Sequence, residues 1–218
     1  MSRAEALKRG YTDGARKIAS RSMVSLARTR VTPNALTASG VTLCGLAAVL
    51  VFFENRNELL FYWVGAAVFG VGSILDILDG ALARASGKGT PFGAFLDSTT
   101  DRVGEGLMLG AIALVFARHH EMVAVGLTFA GVVGSFLVSY TRARAEALGL
   151  RGDVGIGSRA ERVVVITAGL VFAPWGVLPY AIGLLTGTAW FTVGQRIWSV
   201  RRQLVQRADA ALREDGDA

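Results

Sequence analysis

Six blocks of apolar sequence, each flanked by charge, set the solvent in which this chain folds. They run Asn34–Phe53, Leu59–Ala83, Gly93–Ala117, Met122–Ala143, Arg162–Ala173 and Val177–Val200. A helix rises about 1.5 Å per residue, so about 20 apolar residues cross the hydrocarbon of a bilayer. Arg162–Ala173 alone falls short of that length. Charged residues make up 18% of the chain and hydrophobic ones 52%. An average soluble domain carries about 25% charge. The expected fold is all-α and integral to the membrane: six transmembrane helices preceded by an N-terminal amphipathic juxtamembrane helix. Residues 1–30 would form that cytoplasmic segment, 31–203 the membrane domain, and 204–218 a polar cytoplasmic tail that frays.

The basic residues give an orientation. Of 23 Lys and Arg, eight precede the first block, five lie between Arg142 and Arg162, and five between Arg196 and Arg213. Arg84, Lys88 and Arg102 fall on the same side, leaving Arg56 and Arg118 for the other. Positive loops face the cytoplasm, so both termini are expected there, in a multi-pass protein of the plasma membrane. The net charge of +6 then meets anionic membrane lipids and implies no nucleic acid. The charged N-terminal stretch is too long for a cleaved signal. Its residues Ala15, Ile18, Ala19, Ser22, Met23 and Leu26 fall at helical spacing, which suits a helix on the membrane surface or one packed on the domain. Cys44 is alone and reads as a packed small hydrophobe, and His119 and His120 as a solvated loop.

Against that background, four acids stand out. Asp76 and Asp79 are three residues apart on the second block; Asp97 and Asp101 are four apart on the third. Those spacings put each pair on one helix face. A short connection makes the two blocks antiparallel neighbours, so all four carboxylates converge near the cytoplasmic surface. Held together uncompensated they would repel. Hard divalent cations take oxygen ligands, and two ions about 3.5–4 Å apart can clamp the attacking and leaving oxygens of a phosphoryl transfer. Gly80 and Gly93 leave room for a ligand, and Arg84 stands where it can grip a phosphate.

The residues Asp76, Asp79, Gly80, Ala83, Arg84, Gly93, Asp97 and Asp101 fill the pattern D-x2-D-G-x2-A-R-x8-G-x3-D-x3-D. This resembles the signature of the CDP-alcohol phosphotransferases without a departure. The resemblance implies an enzyme that moves a phosphatidyl group from CDP-diacylglycerol to an alcohol and releases CMP. It implies a two-metal site of Mg²⁺, with Mn²⁺ as the alternative, bound by Asp76, Asp79, Asp97 and Asp101. Asp101 would also be the general base. Gly80, Ala83, Arg84, Thr90 and Gly93 would contact the donor, and Thr32, Pro33, Asn34 and Ala35 would close over its cytidine. A homodimer is implied as well.

A second, basic group bears on the acceptor. Ser139, Arg142, Arg159, Arg162 and Arg196 come from three blocks and share one end. Several fixed cations there suit an alcohol that itself carries a phosphate. The set is similar to the branch of the family that uses inositol phosphate, although that branch favours Lys where Arg142 stands and Pro where Ala160 stands. Glycerol 3-phosphate is the competing acceptor. A divalent-cation transporter would place its carboxylates nearer the bilayer midplane and would not need Gly80, Ala83, Arg84 and Gly93. A non-catalytic scaffold would not need four acids together.

Overall fold

The computed structural model describes residues 32–86 and 89–216, without the side chains of Arg84 to Ser86 and of several residues near the C-terminus. The expected surface helix within residues 1–30 lies outside the described residues. Among the described residues six α-helices follow one another: α1 (Pro33–Phe52), α2 (Glu58–Ser86), α3 (Pro91–Arg118), α4 (Met122–Ala147), α5 (Arg159–Val171) and α6 (Leu178–Gly216). Single 3-10 turns precede α2 and α6. No strand occurs among the described residues.

The starts of α1, α3 and α5 are set by caps rather than by the apolar blocks. Thr32 precedes Pro33, and its hydroxyl accepts the Ala35 amide at 3.2 Å. Thr90 precedes Pro91 in the same way and accepts the Gly93 amide at 2.9 Å. Proline at the first helical position lacks the amide that would be orphaned there. α5 opens on a capping box between Ser158 and Glu161, three residues before the apolar run begins.

Helices α1, α2 and α4 are long and apolar enough to cross a membrane. The chain is a membrane protein. Its exposed side chains agree: Val123 and Tyr180 are both 80% exposed, and Phe129, Leu184 and Phe191 also face outward. Such a surface suits lipid rather than water. α3 is long enough but carries Asp97, Asp101, Arg102 and Glu105 among its first 15 residues, and α5 has only 13 residues. α6 corrects an expectation. The apolar stretch ends near Val200, yet the helix runs unbroken for 39 residues to Gly216. At about 58 Å it exceeds the roughly 30 Å of hydrocarbon. From residue 204 to Gly216 the tail is helix, not frayed chain.

The chain divides into two compact units. One comprises residues up to Cys44 with Val71–Gly104, and so the start of α1, the end of α2 and the start of α3. Here α1 and α2 meet glycine to glycine. A Cβ on Gly72 would lie 2.9 Å from the Gly40 carbonyl, and one on Gly40 would lie 3.0 Å from the Gly72 carbonyl. Cys44 is buried beside Gly72 and Gly104.

The other unit comprises Gly45–Gly70 and Glu105 onward. Its core holds Met108, Leu109, Ile112, Ile166, Leu170, Ile182 and Leu185, all nearly inaccessible. Small residues let α4 approach α6: a Cβ on Gly134 would meet that of Ala189 at 3.1 Å. Thr186 donates to the Leu127 carbonyl at 2.9 Å and Trp190 to that of Ala130 at 3.0 Å. One end of the unit is tied by a buried acid. Glu54 accepts from Arg118 at 3.1 Å and lies 3.2 Å from the His119 ring nitrogen. The Arg118 guanidinium stacks 4.5 Å above Phe52. His119 therefore belongs to this tie and not to a freely solvated loop.

Candidate active site

In the first unit α2 and α3 run antiparallel through the connection 87–90, which brings their acidic faces together. Oxygens of Asp76, Asp97 and Asp101 lie within 4.8 Å of one another. Asp76 is buried and the other two are half-buried. Arg102 pairs with Asp101 at 3.6 Å and also donates to the Ser98 carbonyl. Asp79, expected in the same group, is not in this triplet. It is buried one turn away, where its Oδ2 accepts the Thr37 hydroxyl of α1. Its Oδ1 is buried with no hydrogen-bond partner among the described residues.

Beside the acids lies a cavity of about 410 Å³. Pro33, Asn34 and Thr37 of α1 line one part, and Asp79, Gly80 and Ala83 of α2 another. Residues of the segment from Gly89 to Asp97, among them Thr90, Gly93 and Asp97, complete the wall. Two helix N-termini, those of α1 and α3, thus open onto one space. Each presents amide hydrogens and the positive end of a helix dipole, which favours phosphate. Gly93 has a plain steric reason: a Cβ there would lie 3.1 Å from Thr90 Oγ1 and 3.4 Å from Asn34 Oδ1. Thr90, expected to touch the ligand, spends its hydroxyl as the cap of α3 while still lining the cavity. Thr32 caps α1 and, like Ala35, is not part of the wall. The Arg84 side chain lies outside the described residues.

The basic set belongs to the second unit, and its arginines differ in what they hold. Arg162 is 3% exposed and forms a two-pronged pair with Glu105, at 2.6 Å through Nε and 2.8 Å through Nη2. Its Nη1 donates to the Gly157 carbonyl at 2.7 Å. Each guanidinium nitrogen is therefore engaged within the protein. Arg196 is also buried; its Nε donates to the Val154 carbonyl at 2.8 Å and its Nη1 to that of Val138. Arg142 is exposed and pairs with Glu146 at 2.9 Å. Arg142 and Arg162 both lie within electrostatic range of Arg196. Ser139 is half-buried and bonds weakly to the Ser135 carbonyl at 3.4 Å. Arg159 opens α5 and is half-buried.

Sequence reasoning missed Thr37 and Glu105. Thr37 lies 42 residues from the acid it holds, and no local pattern marks it. Glu105 could have been found: it stands four residues after Asp101 in an apolar run, where a buried acid needs a cation.

The profile of the CDP-alcohol phosphatidyltransferase family matches residues 30–198. The phosphatidylinositol phosphate synthase of Mycobacterium marinum is 39% identical over 183 residues, covering 80% of this chain and 76% of its own. The fold is similar to that of the Mycobacterium tuberculosis phosphatidylinositol phosphate synthase in its crystal structure with CDP-DAG bound. That match has a TM-score of 0.74 at 31% identity and covers 84% of this chain and 94% of the other. A crystal structure of the same enzyme in complex with manganese and citrate also matches with a TM-score of 0.74, at 32% identity over 84% and 88% of the two chains.

Proposed function

Because the chain belongs to the CDP-alcohol phosphatidyltransferase family, we propose that it transfers the phosphatidyl group of CDP-diacylglycerol to the hydroxyl of inositol phosphate, releasing CMP. The observation that carries this reading is the carboxylate triplet of Asp76, Asp97 and Asp101 beside a cavity that two helix N-termini make suitable for phosphate. The identity of more than a third to a named phosphatidylinositol phosphate synthase supports the acceptor.

The donor set fits a divalent metal. Three carboxylate oxygens are gathered within 4.8 Å, and the buried Oδ1 of Asp79 adds an unsatisfied hard oxygen. Asp76, Asp79, Asp97 and Asp101 would hold Mg²⁺ or Mn²⁺ as a two-metal site. When bound, the ions supply positive charge to the phosphate being transferred. Thr37 fixes the Asp79 carboxylate by a charge-assisted hydrogen bond. Gly80, Ala83 and Gly93 leave the wall of the cavity low, and Thr90 sets the amides of α3 toward the donor. Pro33 and Asn34 take the cytidine side, with Thr32 and Ala35 shaping the start of α1. Arg84 grips the donor's pyrophosphate. Asp101 accepts the proton of the attacking hydroxyl. The acceptor oxygen bonds to the phosphorus that carries diacylglycerol, and the bond from that phosphorus to CMP breaks. Arg142, Arg159 and Arg196, with Ser139, receive the acceptor's own phosphate.

The membrane arrangement belongs to the same proposal. All six helices lie in the plasma membrane with both termini in the cytoplasm, and residues 31–203 form the membrane domain. Arg201 and Arg202 on the cytoplasmic part of α6 meet anionic lipids. The enzyme works as a homodimer. The test is CMP release by purified protein from CDP-diacylglycerol with inositol phosphate, free inositol and glycerol 3-phosphate. Inositol phosphate is expected to be used best. Preference for glycerol 3-phosphate would move the acceptor, and cation uptake without CMP release would overturn the enzyme reading.

A further inference from the structure

Between α4 and α5 the chain has no regular structure, yet its backbone is tied at intervals along its length to one helix. Four side chains of α6 make these ties. Thr192 Oγ1 accepts the Gly157 amide at 2.9 Å. Arg196 Nε donates to the Val154 carbonyl at 2.8 Å. Gln203 makes two bonds to a single residue: its Oε1 accepts the Arg151 amide at 2.9 Å and its Nε2 donates to the Arg151 carbonyl at 3.0 Å. Arg207 donates to the carbonyls of Leu148, at 3.3 Å, and Gly149. The spacing of 192, 196, 203 and 207 is four, seven and four, which puts all four on one helix face. The connection runs back along that face as α6 runs forward. Gly149 and Gly155 have φ of 66° and 126°, so the path uses turns that other residues resist.

We propose that this face of α6 is a positioning device for the acceptor, and that Gln203 and Arg207, beyond the apolar part of the helix, are its outer fasteners. The inference rests on the functional reading above. The connection ends at Ser158, whose capping box starts α5, so its path fixes where Arg159 stands. Arg196 belongs to the same row of ties and to the acceptor set. A glycine-rich connection without ties would sample many paths, and Arg159 would share that freedom. Neither Gln203 nor Arg207 needs to touch a substrate to act.

The test uses the full chain carrying Gln203→Leu, Gln203→Glu or Arg207→Ala. Gln203→Leu keeps the size and loses both bonds; Gln203→Glu keeps the acceptor for the Arg151 amide. Two quantities are read: amide hydrogen exchange across 148–157, and the separate Michaelis constants for acceptor and donor. Gln203→Leu is expected to speed exchange at Arg151 and raise the acceptor's KM about fivefold, as befits losing two exposed hydrogen bonds at the low end of their usual worth, with kcat and the donor's KM unchanged. Arg207→Ala should act in the same direction, and Gln203→Glu should fall between Gln203→Leu and the wild type. Unchanged exchange in Gln203→Leu would overturn the proposal, because the ties would not hold the connection. Faster exchange with an unchanged acceptor KM would overturn it too, leaving the ties a structural role alone. A wild-type protein that releases no CMP with any phosphorylated alcohol would instead overturn the functional reading, and the positioning role with it.

Discussion

The acids and the arginines of this protein are both ionisable groups in a membrane chain, but they are used in opposite ways. Asp76, Asp97 and Asp101 collect like charge within 4.8 Å. Such a cluster is costly to hold together and is retained where something else supplies the opposite charge. Arg162 is buried more deeply than any of these acids, yet Glu105 and the backbone carbonyl of Gly157 already answer it. Concentrated, mutually repelling charge marks chemistry; opposite charge in a close fork marks architecture.

The largest effect should come from the acids. Asp101→Asn is expected to lower turnover by about 10²–10⁴-fold, the range for a lost general base, while the unfolding temperature in detergent holds or rises. CMP release and thermal unfolding on one preparation decide this. A loss of stability matching the loss of rate would erase the contrast. Chelation should act like Asp101→Asn, with activity restored by Mg²⁺ or Mn²⁺.

Arg162→Ala should invert that pattern. Removing one partner of a buried pair strands the other, at a cost of about 3–5 kcal/mol. Denaturant or thermal unfolding should show it, and replacing Glu105 by Gln in the same chain should return part of the loss. An Arg162→Ala protein of native stability with a raised acceptor KM would return this residue to the substrate site.

Gly72→Ala probes the acidic region through its packing. The added Cβ would come 2.9 Å from the Gly40 carbonyl, so α1 must shift. Since a misplacement of about 1 Å can cost 10²-fold, activity should fall by up to that much, although no ionised group is changed. Full activity in this variant would mean that Thr37 does not need its place.

The smallest effect is expected at Glu146. Its pair with Arg142 is exposed on both sides, four residues apart on α4. Glu146→Gln should change stability by no more than about 0.5 kcal/mol. Arg142→Ala should raise the acceptor's KM, which would separate an arginine available to substrate from the Arg162 clamp.

The same contrast explains what could be read from the sequence. The acids were legible because spacings of three and four, on two helices joined by a short connection, leave few arrangements open. The arginines were countable, but their availability was not visible. Glu105 lies 57 residues from Arg162 and Glu146 four from Arg142, and nothing local separates a buried clamp from a surface pair. The Thr37 bond and the Gly40–Gly72 contact were hidden for the same reason. The helical end of α6 was missed on polarity alone. Yet Ala208 to Glu214 is rich in Ala, Leu, Arg and Glu, strong helix formers that need no apolar face to continue a helix already begun.

Gly40 and Gly72 carry no functional group, and their contact lies one turn from Thr37 on α1. Clearance between two backbones there governs whether a hydroxyl reaches Asp79. A survey of substitutions that abolish turnover would therefore rank these two glycines beside the aspartates. Read without the fold, that ranking would assign them chemistry; their contribution is the absence of a methyl group.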